Sequence, residues 1–406
     1  MSAPTPAPKP IVDEPLPLPR RWGEAELARL TAMVGQSSLF YWKGPQTAAL
    51  LEEFRRHYPL KHVFPCSSGT ASIHIAIAAL RLRPGDEVIV PPITDMGSVT
   101  GILYQQGVPV FADLEPDTYN LSPAAVRRAI TSKTRAILAV HLAGNPCDLT
   151  ALAAIAREHK ISLVEDCAQA WGALWQDRPV GTFGDFGCYS FNDFKHVSCG
   201  DGGMVGTNRD DLGEGLARWG DKSYNRVIGG RDPEDLAPNY RMSEPLSAIA
   251  TAQLTKLPGI VARRRAAGTL LTSLLAGTPG IFTPAVTPGG AHSYWFYMLR
   301  LDLARWTVGQ AEVAAAFQAE GVACGAGYIP RPVYQYPVFK NHNFFGGAWP
   351  ARDAGYTTMD YRAVSCPVSE AILRDCVVLR LNEAMTDTYI EKVARALRTV
   401  ALRLTK

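Results

Sequence analysis

Short apolar runs alternate with helical segments from about residue 61 to residue 210, and this alternation constrains the fold more than any other feature. Strands are predicted at Glu87–Pro91, Val108–Ala112, Arg135–His141, Ile161–Asp166, Phe186–Phe191 and Met204–Thr207. Helices are predicted at Ala71–Leu82, Pro123–Ile130, Leu149–Glu158 and Asp210–Arg218. Strands that alternate with helices form a mainly parallel sheet through right-handed crossovers. The sequence therefore predicts an α/β protein whose large domain has three α/β/α layers and a mainly parallel, mixed sheet.

A second domain is predicted after this region, because 406 residues are enough for two packed domains. A long helix is predicted at Pro245–Leu275, and the elements of the second domain follow from about Gly280. They are a strand at Tyr294–Leu301, a helix at Val308–Glu320 and a final helix at Asp387–Leu404. The predicted organisation is an N-terminal arm with a first helix (1–34), a large domain (35–262) and a smaller α/β C-terminal domain (263–406). The proline-rich start, Met1 to Arg20, predicts a disordered or extended arm.

The composition argues against several classes of protein. A net charge of +3 without a long basic run gives little support for a nucleic-acid partner. No apolar stretch reaches the roughly eighteen residues of a membrane span, and the start lacks the pattern of a secretory signal. The eight cysteines include no C-x-x-C pair, so no metal site is predicted. A reduced, cytoplasmic protein is expected.

Lys195 follows an aromatic, apolar strand and precedes Gly200-Asp201-Gly202-Gly203, a loop with three glycines in four residues. Such a loop lets the backbone approach a ligand closely. A lysine amine with its ordinary pKa of about 10.4 is a poor nucleophile unless burial or nearby cations lower that pKa. When activated, it is a natural carrier of an aldehyde cofactor as a Schiff base. A solvated surface charge is the alternative for a lysine on its own.

Asp166 ends the apolar run that begins at Ile161, which indicates a buried parallel strand with a carboxylate at its C-terminal tip. Ligands bind at that end of the strands in open α/β sheets. Pyridoxal phosphate (PLP) needs an acid that keeps its ring nitrogen protonated, so that the ring can accept electrons. Asp166 has this chemistry. An Asp that caps the following turn is the structural alternative.

A third motif, Cys66-Ser67-Ser68-Gly69-Thr70-Ala71-Ser72-Ile73, lies between an apolar segment and a helical stretch. Small residues at a strand-to-helix turn leave backbone N–H groups facing outward, and the helix dipole adds to their attraction for phosphate. The alternative is an ordinary helix cap made by Ser68 or Thr70.

The order of these motifs resembles that of the DegT/StrS-type sugar aminotransferases, PLP enzymes of the aspartate aminotransferase fold (fold type I). The resemblance runs from about Tyr41 to Arg265, and the C-terminal third matches more loosely. It also covers Gly85–Pro91, Pro109–Asp113, Val140–Gly144, Glu165–Ala170 and Asn239–Ser243.

The resemblance places nine residues at the cofactor. Lys195 would carry PLP, Asp166 would pair with the pyridine nitrogen, and Gln169 would lie near the ring oxygen. Gly69, Thr70 and Ser190 would hold the phosphate, while Asn239 would reach the phosphate of a neighbouring subunit in a homodimer with shared sites. Asp95 occupies the position where the family usually stacks an aromatic residue on the ring. Either Met96 or another apolar side chain covers the ring, or this site contacts it differently.

Seven further residues are candidates for substrate contacts. Tyr41, Trp42 and Lys43 resemble a family segment that can belong to the partner's site. His141 and Arg241 are candidates for contacts with the substrate or its carboxylate, with a structural role as the alternative. Tyr328 and Arg331 lie in a proline-rich loop that lines a substrate mouth or is only a surface loop.

The function implied is transfer of an amino group from an amino acid, glutamate or glutamine, to a keto sugar, with a nucleotide-linked sugar as the expected acceptor. A keto-cyclitol acceptor and a PLP-dependent elimination or dehydration are the alternatives among enzymes. Dehydratases of this family replace the lysine with histidine, so Lys195 argues against that variant, and His196 is a neighbour. A binding protein without activity is opposed by the intact set of Lys195, Asp166 and Ser190.

Overall fold

Fourteen strands and fourteen α-helices make up the protein in a computed structural model that describes residues 9–406. The strands are β1 His62–Cys66, β2 Glu87–Val90, β3 Val108–Phe111, β4 Thr134–Val140, β5 Ser162–Asp166, β6 Leu174–Trp175, β7 Arg178–Pro179, β8 Phe186–Ser190, β9 Gly203–Thr207, β10 Ile281–Phe282, β11 Gly290–Ala291, β12 Tyr297–Leu301, β13 Cys324–Ala326 and β14 Cys376–Leu379. The α-helices are α1 Glu24–Val34, α2 Pro45–His57, α3 Gly69–Ala79, α4 Gly97–Tyr104, α5 Pro123–Ala129, α6 Leu149–His159, α7 Asp210–Gly213, α8 Leu216–Gly220, α9 Glu244–Leu275, α10 Gln310–Ala319, α11 Pro337–Lys340, α12 Pro350–Asp353, α13 Pro367–Asp375 and α14 Asp387–Leu404.

The central sheet has the strand order β1-β9-β8-β5-β4-β2-β3. Its strands pair in parallel from β8 to β3, and β9 pairs antiparallel with both β8 and β1. The predicted mainly parallel, mixed sheet is confirmed. Pro65 lies in β1, and the ladder tolerates it because β1 is an edge strand.

Helices cover both faces of this sheet, which confirms the three-layer architecture. On one face, α2, α6 and α9 bury side chains such as Phe54, Ile155 and Leu254. On the other face, α3 and α4 bury Ile75 and Ile102. The helix predicted over Asp210–Arg218 is instead two short helices, α7 and α8, because glycine at the junction has low helix propensity.

The C-terminal part has its own antiparallel sheet, ordered β10-β12-β14-β13, packed against α10 and α14. Helix α9 joins the two parts without a break, although Pro258 lies inside it. The predicted domain boundary at residue 262 therefore falls within a continuous helix. The chain also returns to the large domain, since Tyr334, Phe339 and Tyr361 pack around Phe111 of β3.

The N-terminal arm, where the structure describes it, is extended and lies against the C-terminal sheet and helices. The Val12 N–H donates to the carbonyl of Glu320 at 2.9 Å, and the Asn382 amide donates to the carbonyl of Pro17 at 2.8 Å. The part of the predicted arm at residues 1–8 lies outside the described residues. Between residues 9 and 406, no helix is both long and apolar enough to cross a bilayer.

Candidate active site

The carboxyl ends of β1, β2, β5 and β8 meet at one edge of the central sheet, around a cavity of about 290 Å³. This is the edge where open α/β sheets bind ligands. Seven of the predicted site residues line the cavity: Gly69, Thr70, Asp95, Asp166, Gln169, Ser190 and Lys195. The structure thus brings together three motifs that lie up to 126 residues apart in the chain, from Gly69 to Lys195.

The turn after β1 presents unpaired backbone donors to the cavity. Ser68 caps α3, since its hydroxyl accepts the Ala71 N–H at 3.0 Å. Gly69 and Thr70 begin the helix, so their N–H groups have no acceptor within it and point along the positive end of its dipole. A Cβ at Gly69 would lie 2.7 Å from the Cβ of Ser190, so glycine is required there. These groups form an anion site of the kind that binds phosphate.

Asp166, at the end of β5, is buried and accepts two hydrogen bonds. One carboxylate oxygen accepts the Ala168 N–H at 3.0 Å, and the other accepts the Ser98 hydroxyl at 2.8 Å. Burial raises the pKa of this carboxyl, while the two hydrogen bonds act in the opposite direction. Asp166 therefore caps the turn that follows β5, through its bond with Ala168, and its carboxylate also lines the cavity.

Lys195 lies in the loop between β8 and β9, and its Nζ is 3.7 Å from the centroid of the Trp295 ring. The Trp295 indole N–H donates to the carbonyl of Phe194 at 2.7 Å, which fixes the ring beneath the amine. Burial lowers the pKa of Lys195 to about 8, although the negative charges of Asp166 and Asp95 favour the protonated form. A substantial fraction of the amine is therefore neutral near physiological pH.

Gln169 connects the cavity to the loop that was predicted as a substrate mouth. Its side-chain oxygen accepts the Ala143 N–H at 2.8 Å, and its amide donates to the Tyr328 hydroxyl at 3.0 Å. Burial raises the pKa of Tyr328, and the charges of Asp95 and Asp166 raise it further, so the hydroxyl keeps its proton. Arg331 is exposed in the same loop, close enough to Tyr336 for its charge to act against the rise that burial causes in the pKa of that hydroxyl.

Asp95 lines the cavity, and one of its carboxylate oxygens accepts the Gly97 N–H at 2.8 Å. Met96 does not line the cavity. Its side chain packs against the hydrophobic cluster that contains Val99, because adjacent residues at the start of a helix point in different directions. The structure therefore does not support Met96 as the cover of a cofactor ring.

His141 is a correction to the predicted substrate contacts. Val140 pairs with Asp166 in the β4–β5 register, so His141 lies on the face of Glu165, opposite to Asp166. Its side chain is fully buried, with Nδ1 accepting the Cys147 N–H at 3.0 Å and Nε2 lying 3.2 Å from a Glu165 oxygen. Glu165 in turn accepts backbone N–H groups of the loop before β8. His141 supports the core and cannot reach a substrate.

Five further predicted site residues do not line this chain's own cavity: Tyr41, Trp42, Lys43, Asn239 and Arg241. Tyr41 is buried, and its hydroxyl donates to the Asp221 carboxylate at 2.6 Å, while Arg241 lies 3.3 Å from the same carboxylate. These bonds give Tyr41 and Arg241 a structural role within their own chain. Trp42 and Lys43 line a separate surface cavity. Asn239 is exposed.

Several residues in or next to the cavity were not predicted from the sequence. Ser98, which bonds Asp166, follows Thr94 by four residues, and their hydroxyls are 2.6 Å apart. Two hydroxyl residues four positions apart after a strand lie on the same side of a helical turn, and this spacing could have indicated a polar pair at the site. Asn192 and Asp201 also line the cavity. Trp295 lies 100 residues after Lys195, and no motif was identified around it in the sequence.

The fold and the cavity together define a PLP-dependent enzyme. An amine with a lowered pKa, a buried carboxylate and a helix N-terminus face one space, as the aldehyde, ring nitrogen and phosphate of PLP require. The absence of a Cβ at Gly69 lets the turn lie against Ser190, so that both residues border this space. When bound, PLP supplies an electron sink for a developing carbanion.

Comparison with known proteins identifies the family. The model of the DegT/DnrJ/EryC1/StrS aminotransferase family matches residues 21–398, and the chain belongs to this family of PLP-dependent aminotransferases. It is 39% identical over 251 residues to the GDP-perosamine synthase of Vibrio cholerae, covering 62% of this chain and 68% of that protein. It is 27% identical to the spore coat polysaccharide biosynthesis protein SpsC of Bacillus subtilis, covering 93% and 95% of the two chains. Among solved structures, DesV of S. venezuelae is 28% identical with a TM-score of 0.81, covering 93% of this chain and 95% of that one.

We expect the rate at which PLP reacts with the apoenzyme to rise with pH, with a midpoint near the lowered pKa of Lys195, about 8. The neutral amine is the reacting form, and its fraction increases as pH rises through the pKa. Stopped-flow absorbance between pH 6 and 10 would measure this rate, with Lys195→Ala as the control for absorbance changes that do not involve the amine. A midpoint at the ordinary lysine pKa would contradict the burial of this amine.

Proposed function

We propose that the protein transfers an amino group from glutamate or glutamine to the keto carbon of a nucleotide-linked sugar. The observation that carries this proposal is the Lys195 amine, with its lowered pKa, beside the buried Asp166 carboxylate in one cavity. The family consists of sugar aminotransferases, and one of its members that resembles this chain is named for a GDP-linked product.

Each side chain has a distinct part in the proposed reaction. Lys195 removes the proton from the donor's α-carbon and later delivers a proton to the former keto carbon of the acceptor. Asp166 keeps the ring nitrogen protonated, and the Ser98 hydroxyl holds its carboxylate in position. Gly69, Thr70 and Ser190 hold the phosphate through backbone N–H groups and a hydroxyl.

The acceptor is tested by loading the enzyme with pyridoxamine phosphate and offering keto sugars with and without a nucleotide. We expect PLP absorbance to return, and an aminated product to appear by mass spectrometry, when the keto sugar carries a nucleoside diphosphate. Lys195→Ala is the control for chemistry without the enzyme's base. Amination of only a keto-cyclitol, or a product that has lost water, would replace this proposal with one of the alternatives.

We also propose a homodimer in which Asn239 contacts the cofactor phosphate of the partner subunit. Asn239 is exposed and does not line the cavity of its own chain. Among the described residues that line that cavity, Lys195 is the only cation, whereas a phosphate ester carries close to two negative charges. Additional donors from a second chain would offset this charge.

Mixing Lys195→Ala and Asn239→Ala chains after dissociation is expected to restore activity. In a shared-site heterodimer, one of the two sites has Lys195 from one chain and Asn239 from the other, so it is native. The activity of the mixture is compared with that of each variant alone, and Asn341→Ala, at an exposed asparagine elsewhere, serves as the control. If heterodimers form without a gain in activity, Asn239 does not serve the partner's site.

A further inference from the structure

An open groove of about 680 Å³ lies beside the active site. Residues 16–22 of the N-terminal arm form one wall. The other wall combines the loop before Lys195 with Trp295 and part of the C-terminal sheet. Trp295 belongs to this groove and also lies beneath the Lys195 amine, so a single indole ring separates the groove from the reacting centre.

The arm is held in place at both ends of the groove. The Asn382 amide donates to the carbonyl of Pro17 at 2.8 Å. The carbonyl of Arg21 accepts hydrogen bonds from Gln253 at 2.8 Å and from Lys256 at 2.7 Å. Residues 18–20 therefore span the groove between two fixed points, and the groove exists before any ligand binds.

Three arginines line this groove without a carboxylate partner. Within residues 9–406, Arg20, Arg21 and Arg380 take part in no salt bridge, although the chain contains many others. Arg21 donates to the backbone carbonyl of Asp193 at 2.7 Å, which leaves its charge uncompensated. The fourth arginine, Arg264, is committed to Glu383 at 2.8 Å and to backbone carbonyls. Planar guanidinium groups are well suited to phosphate, which they bind through two parallel hydrogen bonds.

Aromatic rings are exposed in the same groove. Phe194 is 75% exposed and Trp22 is 44% exposed. Exposed aromatic faces stack on nucleobases with a gain that depends little on the identity of the base. The one acidic side chain in the groove lining, Asp193, is exposed to solvent.

We propose that this groove binds the nucleoside diphosphate of the acceptor. Arg20, Arg21 and Arg380 pair with the two phosphates, and the base stacks on Trp22 or Phe194. This inference rests on the proposed function, because it assigns a place to the nucleotide of a nucleotide-linked sugar. It adds a binding site formed by the N-terminal arm and the C-terminal domain, outside the cavity at the strand ends.

Binding is tested on the PLP-loaded enzyme without donor or acceptor, using GDP, UDP and dTDP as separate probes in calorimetric titrations. We expect saturable binding of at least one nucleoside diphosphate that weakens as salt increases, because the contacts are ionic. Replacing Arg20 and Arg380 by Gln should raise its Kd by about tenfold or more, since charge-assisted hydrogen bonds are lost. Trp22→Ala should also raise the Kd of the nucleoside diphosphate that binds, because a stacking surface for its base is lost. Arg128→Gln, at an exposed arginine on α5, is the matched control and should leave the Kd unchanged.

The spectrum of bound PLP and circular dichroism confirm that each variant is folded. Failure of all three probes to bind, or binding that is equal in wild type and in the Arg20/Arg380 variant, would overturn the groove assignment. A change of oligomeric state in these variants, without nucleotide binding by the wild type, would instead show that a second copy covers the groove. Amination of a nucleotide-linked sugar without groove binding would leave the proposed function standing. Binding of a nucleoside diphosphate in the groove, without amination of any nucleotide-linked sugar, would contradict the proposed function but not the assignment of the groove as a nucleotide site.

Discussion

Lys195→Ala is expected to stop amino transfer while the protein stays folded and still binds PLP without a covalent bond. The substitution removes the covalent anchor and the base together, and a positioned base alone contributes about 10²–10⁴-fold to a rate. The phosphate contacts proposed for Gly69, Thr70 and Ser190, which line the same cavity, would not involve the lysine. Single-turnover absorbance with glutamate measures the loss.

The same lysine is tested chemically in the wild-type enzyme. Borohydride reduction followed by peptide mapping should place the pyridoxyl group on Lys195. Lys160→Ala, at an exposed lysine after α6, is the matched control and should retain both the label and the activity. The adjacent His196 cannot substitute, because it is fully buried and its Nε2 lies 3.0 Å from the carbonyl of Ser293. A pyridoxyl group on any other residue would refute this assignment.

Asp166→Asn is expected to keep the fold and the cofactor but to lower turnover by orders of magnitude. The change is nearly isosteric, so packing at the end of β5 should survive. What is lost is the negative charge that, in the proposed function, holds the proton of the ring nitrogen. Each 1.4 kcal/mol of lost transition-state stabilisation costs about tenfold in rate, so a loss of a few kcal/mol has a large effect. Steady-state kcat and a PLP titration measure the two properties separately.

The Ser98→Ala variant tests how much the orientation of the Asp166 carboxylate contributes to turnover, separately from its charge. This variant removes the 2.8 Å hydrogen bond to the carboxylate but leaves the charge in place. Hydrogen bonds to charged groups are worth about 1.5–3 kcal/mol, so a loss of about tenfold or somewhat more is expected, smaller than that of Asp166→Asn. An Asp166→Asn enzyme with turnover within a few-fold of wild type would show that another acid protonates the ring.

Much of the large domain could be predicted because its elements depend on local pattern. The strands that end at Asp166 and Ser190, and the helix that starts at Gly69, were placed correctly to within a few residues. The sequence also located them at one edge, since the carboxyl ends of parallel strands meet there. The arm was harder to predict, because residues 9–22 are ordered by contacts with distant residues: hydrogen bonds to Glu320 and Asn382, and the burial of Val12 in the C-terminal hydrophobic cluster.

The sequence by itself determined the order of the elements and the chemistry at the strand ends. The signals for both are local, because the spacing of apolar residues, the turn residues and the glycine loops each involve only a few neighbouring positions. Only the tertiary structure decided which of those side chains face the cavity. His141 and Asp166 both lie at strand ends, yet the β4–β5 register places them on opposite faces of the sheet. The contact of Trp295 with Lys195 and the groove beneath the arm likewise depend on packing between distant segments, whose geometry no local pattern encodes.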